Sequence, residues 1–366
     1  MVAIILIGIV AVWITNPIDY QLYNNESISY VRGKVTAVHS QELEPSTDLP
    51  GRNVGVQNVT VRLSDKREVT FDNILSSTHS IEVGAGTRVV VKCDEPEGIT
   101  PGYSIYNYDR SSGILAALVI FIAVICFVGK MKGLYAAVAL IVSMFIIGGG
   151  LIPAVFNGYS PVAATLVACM AISAVTLILL NGFSPKTGAA IFSTLIGLGA
   201  SAILYVIVAR LLSITGYNLE ETETMILITR ETGLKIGELL FSGILLASLG
   251  AVMDTAMSIA SALFEIADAK KDITQKELYT SGMNIGRDMI GTMCQTLVLA
   301  FTGGAVASIL VMLAYGTSLH RFLSSDFLAL EILQALTGSF AVILTVPITA
   351  YFCASLHKNN KKSSHR

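Results

Sequence analysis

The chain has 366 residues, 53% hydrophobic and only 14% charged, against roughly 25% charged in an ordinary soluble domain, which excludes a wholly water-soluble globule. A formal net charge of −2 supplies no basic surface to neutralise phosphates and sets aside a nucleic-acid partner. The five cysteines, Cys93, Cys126, Cys169, Cys294 and Cys353, show no Cys-x-x-Cys spacing, and only Cys93 lies outside an apolar segment, which argues against a disulfide framework or a zinc knuckle.

First along the chain comes the apolar run from Val2 to Ile14. It covers only about 20 Å at helical rise, and no Lys or Arg precedes it. It reads either as a signal-peptide core or as an anchor helix. The lack of a small-x-small cleavage site behind it favours an anchor over residues 1–15.

Residues 16–112 hold many of the charges and alternate in the strand period over Ser29 to Val38, Gly55 to Leu63, Glu68 to Ile74 and Thr87 to Lys92. Ser64-Asp65-Lys66 reads as a hairpin turn, and Val83-Gly84-Ala85-Gly86 leads into a further strand. The expected unit is a small all-β, barrel-like domain of five strands, of oligonucleotide-binding-fold or SH3-like type. Such barrels serve many functions, and the shape by itself assigns none.

Crossing a bilayer takes about 20 apolar residues, since each helical residue adds about 1.5 Å against a hydrocarbon core of about 30 Å. Seven segments qualify: 113–129, 133–152, 162–180, 189–212, 237–264, 289–315 and 330–353. The expected fold is therefore an α-helical membrane bundle of seven or eight transmembrane helices, over residues 113–356, with an extracytoplasmic β domain and a basic cytoplasmic tail at 357–366. Orientation follows from the short loops, where Lys and Arg stay on the cytoplasmic side. With 16–112 outside, the inner loops hold Lys130, Lys132, Lys186, Lys270, Lys271 and Lys276, and the inner tail holds Lys358, Lys361, Lys362 and Arg366. The outer loops hold Arg230, Lys235 and Arg321, with Arg210 at an outer helix end and the acidic Glu220, Glu221 and Glu223. The stretch from Glu220 to Gly237 is too polar to span and is expected to lie amphipathically at the outer surface.

Asn157-Gly158-Tyr159-Ser160-Pro161 recurs as Asn181-Gly182-Phe183-Ser184-Pro185, one span later. Asn-Gly turns followed by a Ser cap and a first-turn Pro account for both copies. A trace of inverted repeats, as in some secondary transporters, is the functional reading of the same echo.

The most informative segment runs from Gly250 to Glu265. Asp254, Ser258, Ser261 and Glu265 are spaced by four, three and four residues and share one face of an otherwise apolar helix. A carboxylate costs at least about 2.5 to 3.5 kcal/mol in the bilayer centre, so Asp254 is the leading candidate for a functional group. In the next span, Asn284, Asp288, Thr292 and Gln295 again fall on one face, and the two aspartates are expected at about 18 Å and about 10 Å from the cytoplasmic ends, two steps on one polar path. Arg287 is expected at the interface, paired with Asp288, with Glu265 or with lipid phosphate. Met253, Met257, Met283, Met289 and Met293 flank these groups. Flexible packing explains them better than a soft-metal site, because all five histidines lie outside the spans.

The two polar helices, LGAVMDTAMSIASALFEI from Leu249 to Ile266 and GRDMIGTMCQTLVLAFTGG from Gly286 to Gly304, resemble the YibE/YibF-like family of bacterial multi-pass membrane proteins. The resemblance covers most of the chain. It implies a multi-pass protein of the bacterial cell membrane with a suggested transport role and no catalytic residues, and it places Asp254, Ser258, Glu265, Arg287, Asp288, Gly291 and Thr292 at the motif positions. Gln295 stands where the family often has Asn, and the opening helix is shorter than the family's N-terminus.

The expected function is that of a secondary transporter or exporter of a small solute or ion, with no enzymatic activity, no cofactor and no bound metal. Asp254 and Asp288 would exchange a proton or cation along the helix pair. The alternative is an accessory or assembly protein acting through its outer β domain, and the expected partners are the lipid bilayer, a proton or cation, and a second copy or accessory protein. An intramembrane aspartyl protease fits poorly, since neither Tyr-Asp nor Gly-x-Gly-Asp is present around these residues.

Overall fold

The computed structural model describes residues 27–47, 49–215, 217, 222–270 and 272–364. The expected anchor at 1–15, together with Glu220, Glu221, Lys271 and Arg366, lies outside the described residues, as do the side chains of Lys358, Lys361 and Lys362. The chain divides into two compact units that meet in sequence at Val124 and Ile125.

The N-terminal unit is built on five strands: β1 Ile28–Pro45, β2 Asn53–Leu63, β3 Glu68–Leu75, β4 Arg88–Asp94 and β5 Gly102–Tyr108. They pair antiparallel in the order β3-β2-β1-β4-β5. The 18-residue β1 serves both sides, running Gly33 to Pro45 against β2 and Ile28 to Lys34 against β4. Register shifts between Val35 and Ala37 and between Val38 and Ser40 bend it, as bulges do. Gly33 sits at the inner bend, where a Cβ would lie 2.6 Å from Val61 Cγ1. The sheet curls until its edges approach. Phe71 on β3 and Tyr103 on β5 have ring centroids 6.2 Å apart, and His79 Nε2 lies 3.1 Å from the Ile105 carbonyl oxygen. This curled five-stranded antiparallel sheet fits the expected small all-β domain. Alternate residues Val59, Val61 and Leu63 on β2 and Val89, Val91 and Cys93 on β4 fill the interior. A buried Gln57–Asn73 clamp pins the segment before β4: Gln57 Nε2 donates to the Val83 carbonyl at 3.1 Å and Oε1 accepts from Val83 N at 3.1 Å, while Asn73 Nδ2 donates to the Ile81 carbonyl at 2.9 Å.

Among the described residues six helices are long and apolar enough to cross a membrane. The helices are α1 Ser111–Phe145, the short α2 Ile152–Phe156, α3 Pro161–Asn181, α4 Pro185–Leu211, α5 Thr222–Thr232, α6 Ile236–Ala269, α7 Gln275–Ala314, the short α8 Leu319–Leu323 and α9 Asp326–Ser364. The segment expected at 113–129 and the first part of that at 133–152 form α1, broken at Lys130, whose φ of 50° and ψ of −129° are not helical. A Cβ on Gly133 would lie 2.1 Å from the Ile125 carbonyl oxygen. Eight residues along a straight helix are about 12 Å apart, so the chain doubles back at Lys130. A π-helical turn, Ile146–Leu151, follows and carries Gly148, Gly149 and Gly150. The polar stretch after α4 contains the 11-residue α5, whose Met225 packs on Leu234 and Ile236.

Both copies of the repeated pentapeptide act as the local chemistry dictates. Gly158 and Gly182 take φ of 82° and 75°. Ser160 accepts from Ala163 N and Ser184 from Thr187 N, and Pro161 and Pro185 open α3 and α4.

The core of the helical unit lies between α4, α6 and α9, with α3 packed on α6 and α7 packed on both α6 and α9. Glycines set the close approaches. A Cβ at Gly197 would lie 1.9 Å from Thr345 Oγ1, at Gly338 2.5 Å from Ser248 Oγ, at Gly282 2.8 Å from Ala350 Cβ and at Gly286 2.1 Å from Val346 Cγ1. Hydroxyls buried in these seams, among them Thr194, Ser201, Ser248, Thr255 and Thr345, bond back to carbonyls of their own helices.

Candidate functional site

α6 is amphipathic with its apolar face turned inward. Leu245, Leu249, Val252, Ala256, Ile259 and Leu263 are buried in the main core. The opposite face carries Gly243, Ala247, Gly250, Asp254, Ser258 and Glu265 at exposed positions, with Ser261 half-buried among them. α7 starts with a capping box, in which Thr274 accepts from Glu277 N while the Glu277 carboxylate accepts from Thr274 N. Its Gly282, Gly286 and Leu297 face inward, and Asn284, Arg287, Asp288, Gly291, Thr292, Gln295 and Thr296 face outward. No large apolar side chain is exposed on α6, or on α7 before Val298.

The residues singled out by spacing thus lie, Ser261 half-buried among them, on the outward sides of two helices that pack on each other. Asp254 stands fifteen residues before the end of α6 and Asp288 thirteen after the start of α7. In antiparallel neighbours both are then about 20 Å from the connecting turn, at one level. α7 begins at Gln275, well ahead of the apolar segment 289–315, because its first polar turns are helical as well.

The expected pairing of Arg287 within the chain is corrected. Among the described residues it forms no salt bridge with Asp288 or Glu265, and its Nη1 donates only to Asn284 Oδ1, at 3.4 Å. Successive residues point about 100° apart on a helix, which holds Arg287 and Asp288 away from each other. Thr292 and Thr296 donate to the carbonyls of Met289 and Thr292, at 3.0 Å and 2.8 Å, leaving their oxygen lone pairs turned outward.

The methionines pack as expected of flexible apolar side chains. Met253 and Met257 lie in the core, and Met283, Met289 and Met293 lie half-buried against it. Among the described residues no group of three or more His, Cys, Asp or Glu side chains is arranged to hold a metal ion.

Two features carried no sequence signal. The glycine and alanine continuation of the α6 stripe, Gly243 and Ala247, looks like ordinary helix packing until its exposure is known. A cavity of about 430 Å³ between the π-helical turn, α2, α3, α5 and α6 is lined by Leu151, Phe156, Met225, Leu239 and Leu246 among others. Its apolar walls suit hydrocarbon and offer nothing to a hydrated ion.

No curated protein and no solved structure matches the chain. A family model described as YibE/F-like protein matches residues 117–359, which takes in every helix that carries the outward polar face. The chain is a member of the YibE/F-like family.

Proposed function

We propose that this membrane protein is a secondary transporter or exporter of a small solute or ion, and that Asp254 and Asp288 are the groups that exchange a proton or cation. The observation that carries this reading is the outward face of α6 and α7, where two carboxylates stand level in a surface with no large apolar side chain. Acyl chains cannot solvate such a face, and a water-lined path can.

The reading places the protein in the bacterial cell membrane. Counting the two arms of α1 on either side of Lys130 separately gives seven crossings from residue 111 onward. An odd number sets the β domain and the C-terminus on opposite sides, and the lysine-rich inner loops set the β domain outside.

Everted membrane vesicles holding a proton gradient, challenged with a panel of monovalent and divalent cations, test it. The wild-type chain is expected to collapse the gradient with at least one cation, Asp254→Asn to lose that exchange tenfold or more, and Asp268→Asn to keep it. Exchange by Asp254→Asn at the wild-type rate, or none by the wild type with any cation, refutes the reading.

A further inference from the structure

From Asn284 to Thr302 the outward positions of α7 advance in alternating steps of four and three: Asn284, Asp288, Gly291, Gln295, Val298 and Thr302, all exposed. A period of 3.5 residues is the seam of a left-handed helix pair, the commonest crossing in membrane bundles. Beyond Gln295 the outward surface turns apolar, with Val298, Leu299, Val306 and Leu310 exposed. Before it, the seam carries an amide, a carboxylate and a glycine, flanked by a guanidinium. Hydrocarbon offers none of these a hydrogen bond, so water or a polar surface must cover them.

Four features identify that surface as a second copy of this chain. Copies inserted in one orientation relate by an axis along the membrane normal, so each residue meets its own counterpart at its own level. Asn284, Gln295 and Thr302 both donate and accept hydrogen bonds, and each can therefore pair with itself across such an axis. Arg287 and Asp288 lie at one level about 100° apart, so across the axis the guanidinium of each chain faces the carboxylate of the other, twice. Among the described residues of one chain, Arg287 has only its 3.4 Å contact to Asn284. Finally, nothing lies within 4 Å of a Cβ placed on Gly291, so two backbones have room to approach one turn from the charges.

We propose that α7 pairs with its counterpart in a second copy along this seam, Arg287 of each chain bonded to the partner's Asp288. The inference concerns assembly; beside the transport reading it sets Asp288 at the edge of the wet face, shared between the partner's guanidinium and the exchanged ion, and leaves Asp254 and Ser258 of α6 outside the seam. It is tested on the full chain in native membranes, with Cys93, Cys126, Cys169, Cys294 and Cys353 replaced and single cysteines introduced by Gly291→Cys, Gln295→Cys and, as a control on an exposed apolar face of α4, Ile203→Cys. Copper-phenanthroline oxidation is expected to link Gly291→Cys and Gln295→Cys into disulfide dimers at least tenfold more than Ile203→Cys. In the Gln295→Cys background, Arg287→Asp or Asp288→Arg alone should cut linkage tenfold, and both together should restore it. Light scattering of the wild-type protein in detergent, which needs no variant to fold, should give twice the 38.9 kDa chain mass. A monomeric mass, equal linkage at position 203, or a seam cysteine that cross-links only to a different protein overturns the proposal.

Discussion

Arg67 ties together three elements of the β domain. Its backbone N–H donates to Asp65 Oδ1 at 3.0 Å, its Nε to Asp65 Oδ2 at 2.7 Å and its Nη1 to Glu95 Oε1 at 2.5 Å, while the Tyr103 hydroxyl donates to Glu95 at 3.0 Å. The Arg67 backbone N–H and then its guanidinium hold Asp65 below its ordinary value of 3.8, and the guanidinium and then the Tyr103 hydroxyl hold Glu95 below 4.5. A depressed carboxylate contributes stability that is complete above its unfolded value and is lost as pH falls through the folded one. The tie between the β2–β3 turn and β4 is therefore expected to persist at neutral pH and to release below about pH 4. Hydrogen exchange across residues 64–68 of the full chain, corrected for the intrinsic rate, checks this: protection should fall with acid in the wild type and be low and flat in Arg67→Met. The Ser64-Asp65-Lys66 turn was legible from sequence, and Lys66 takes the left-handed φ of 74° that such a turn asks for. The Arg67–Glu95 pair was not, because residues 28 apart meet only once β1 has paired with both β2 and β4.

At the scale of elements, α7 has a divided character. Gly282 and Gly286 let its backbone close on Ala350 and Val346 of α9, while polar residues occupy the opposite side. Gly286→Ala is expected to push α7 off α9, at about 1–3 kcal/mol for overpacking. Gly291→Ala, where the space is open, should cost the fold under about 1 kcal/mol, the helix preference of Ala offsetting it. Thermal unfolding of the two variants in one detergent, read side by side, separates them, and equal midpoints would contradict the packing. The existence of the helices was legible from runs of apolar residues, and their ends from caps, as at Ser160 and Ser184. The first turn of α7 carried no apolar signal, since hydropathy marks where a helix enters lipid and not where it begins. The strand Gly102–Tyr108 and the extension of β1 to Pro45 were missed because largely exposed ladders show little alternation.

At the scale of the molecule, composition and apolar periodicity were enough for a helical bundle joined to a small curled sheet, and the polar pair of helices was legible residue by residue. Spacing states which side chains share a face. It does not state whether that face points into the bundle or out of it, because a buried polar stripe and an exposed one have the same period. The outward direction of Asp254, Ser258 and Asp288 comes only from the burial of Val252, Ile259 and Gly286 on the other sides of the same helices. The central claim, that this face is wet rather than bathed in lipid, is tested most directly by the reactivity of Ser258→Cys in an otherwise cysteine-free chain. In oriented native membranes, a membrane-impermeant cationic thiosulfonate added from the cytoplasmic side should modify Ser258→Cys and leave the exposed apolar position of Ile203→Cys untouched. A Ser258→Cys thiol that ignores the aqueous reagent but reacts with a lipid-soluble maleimide would contradict the account.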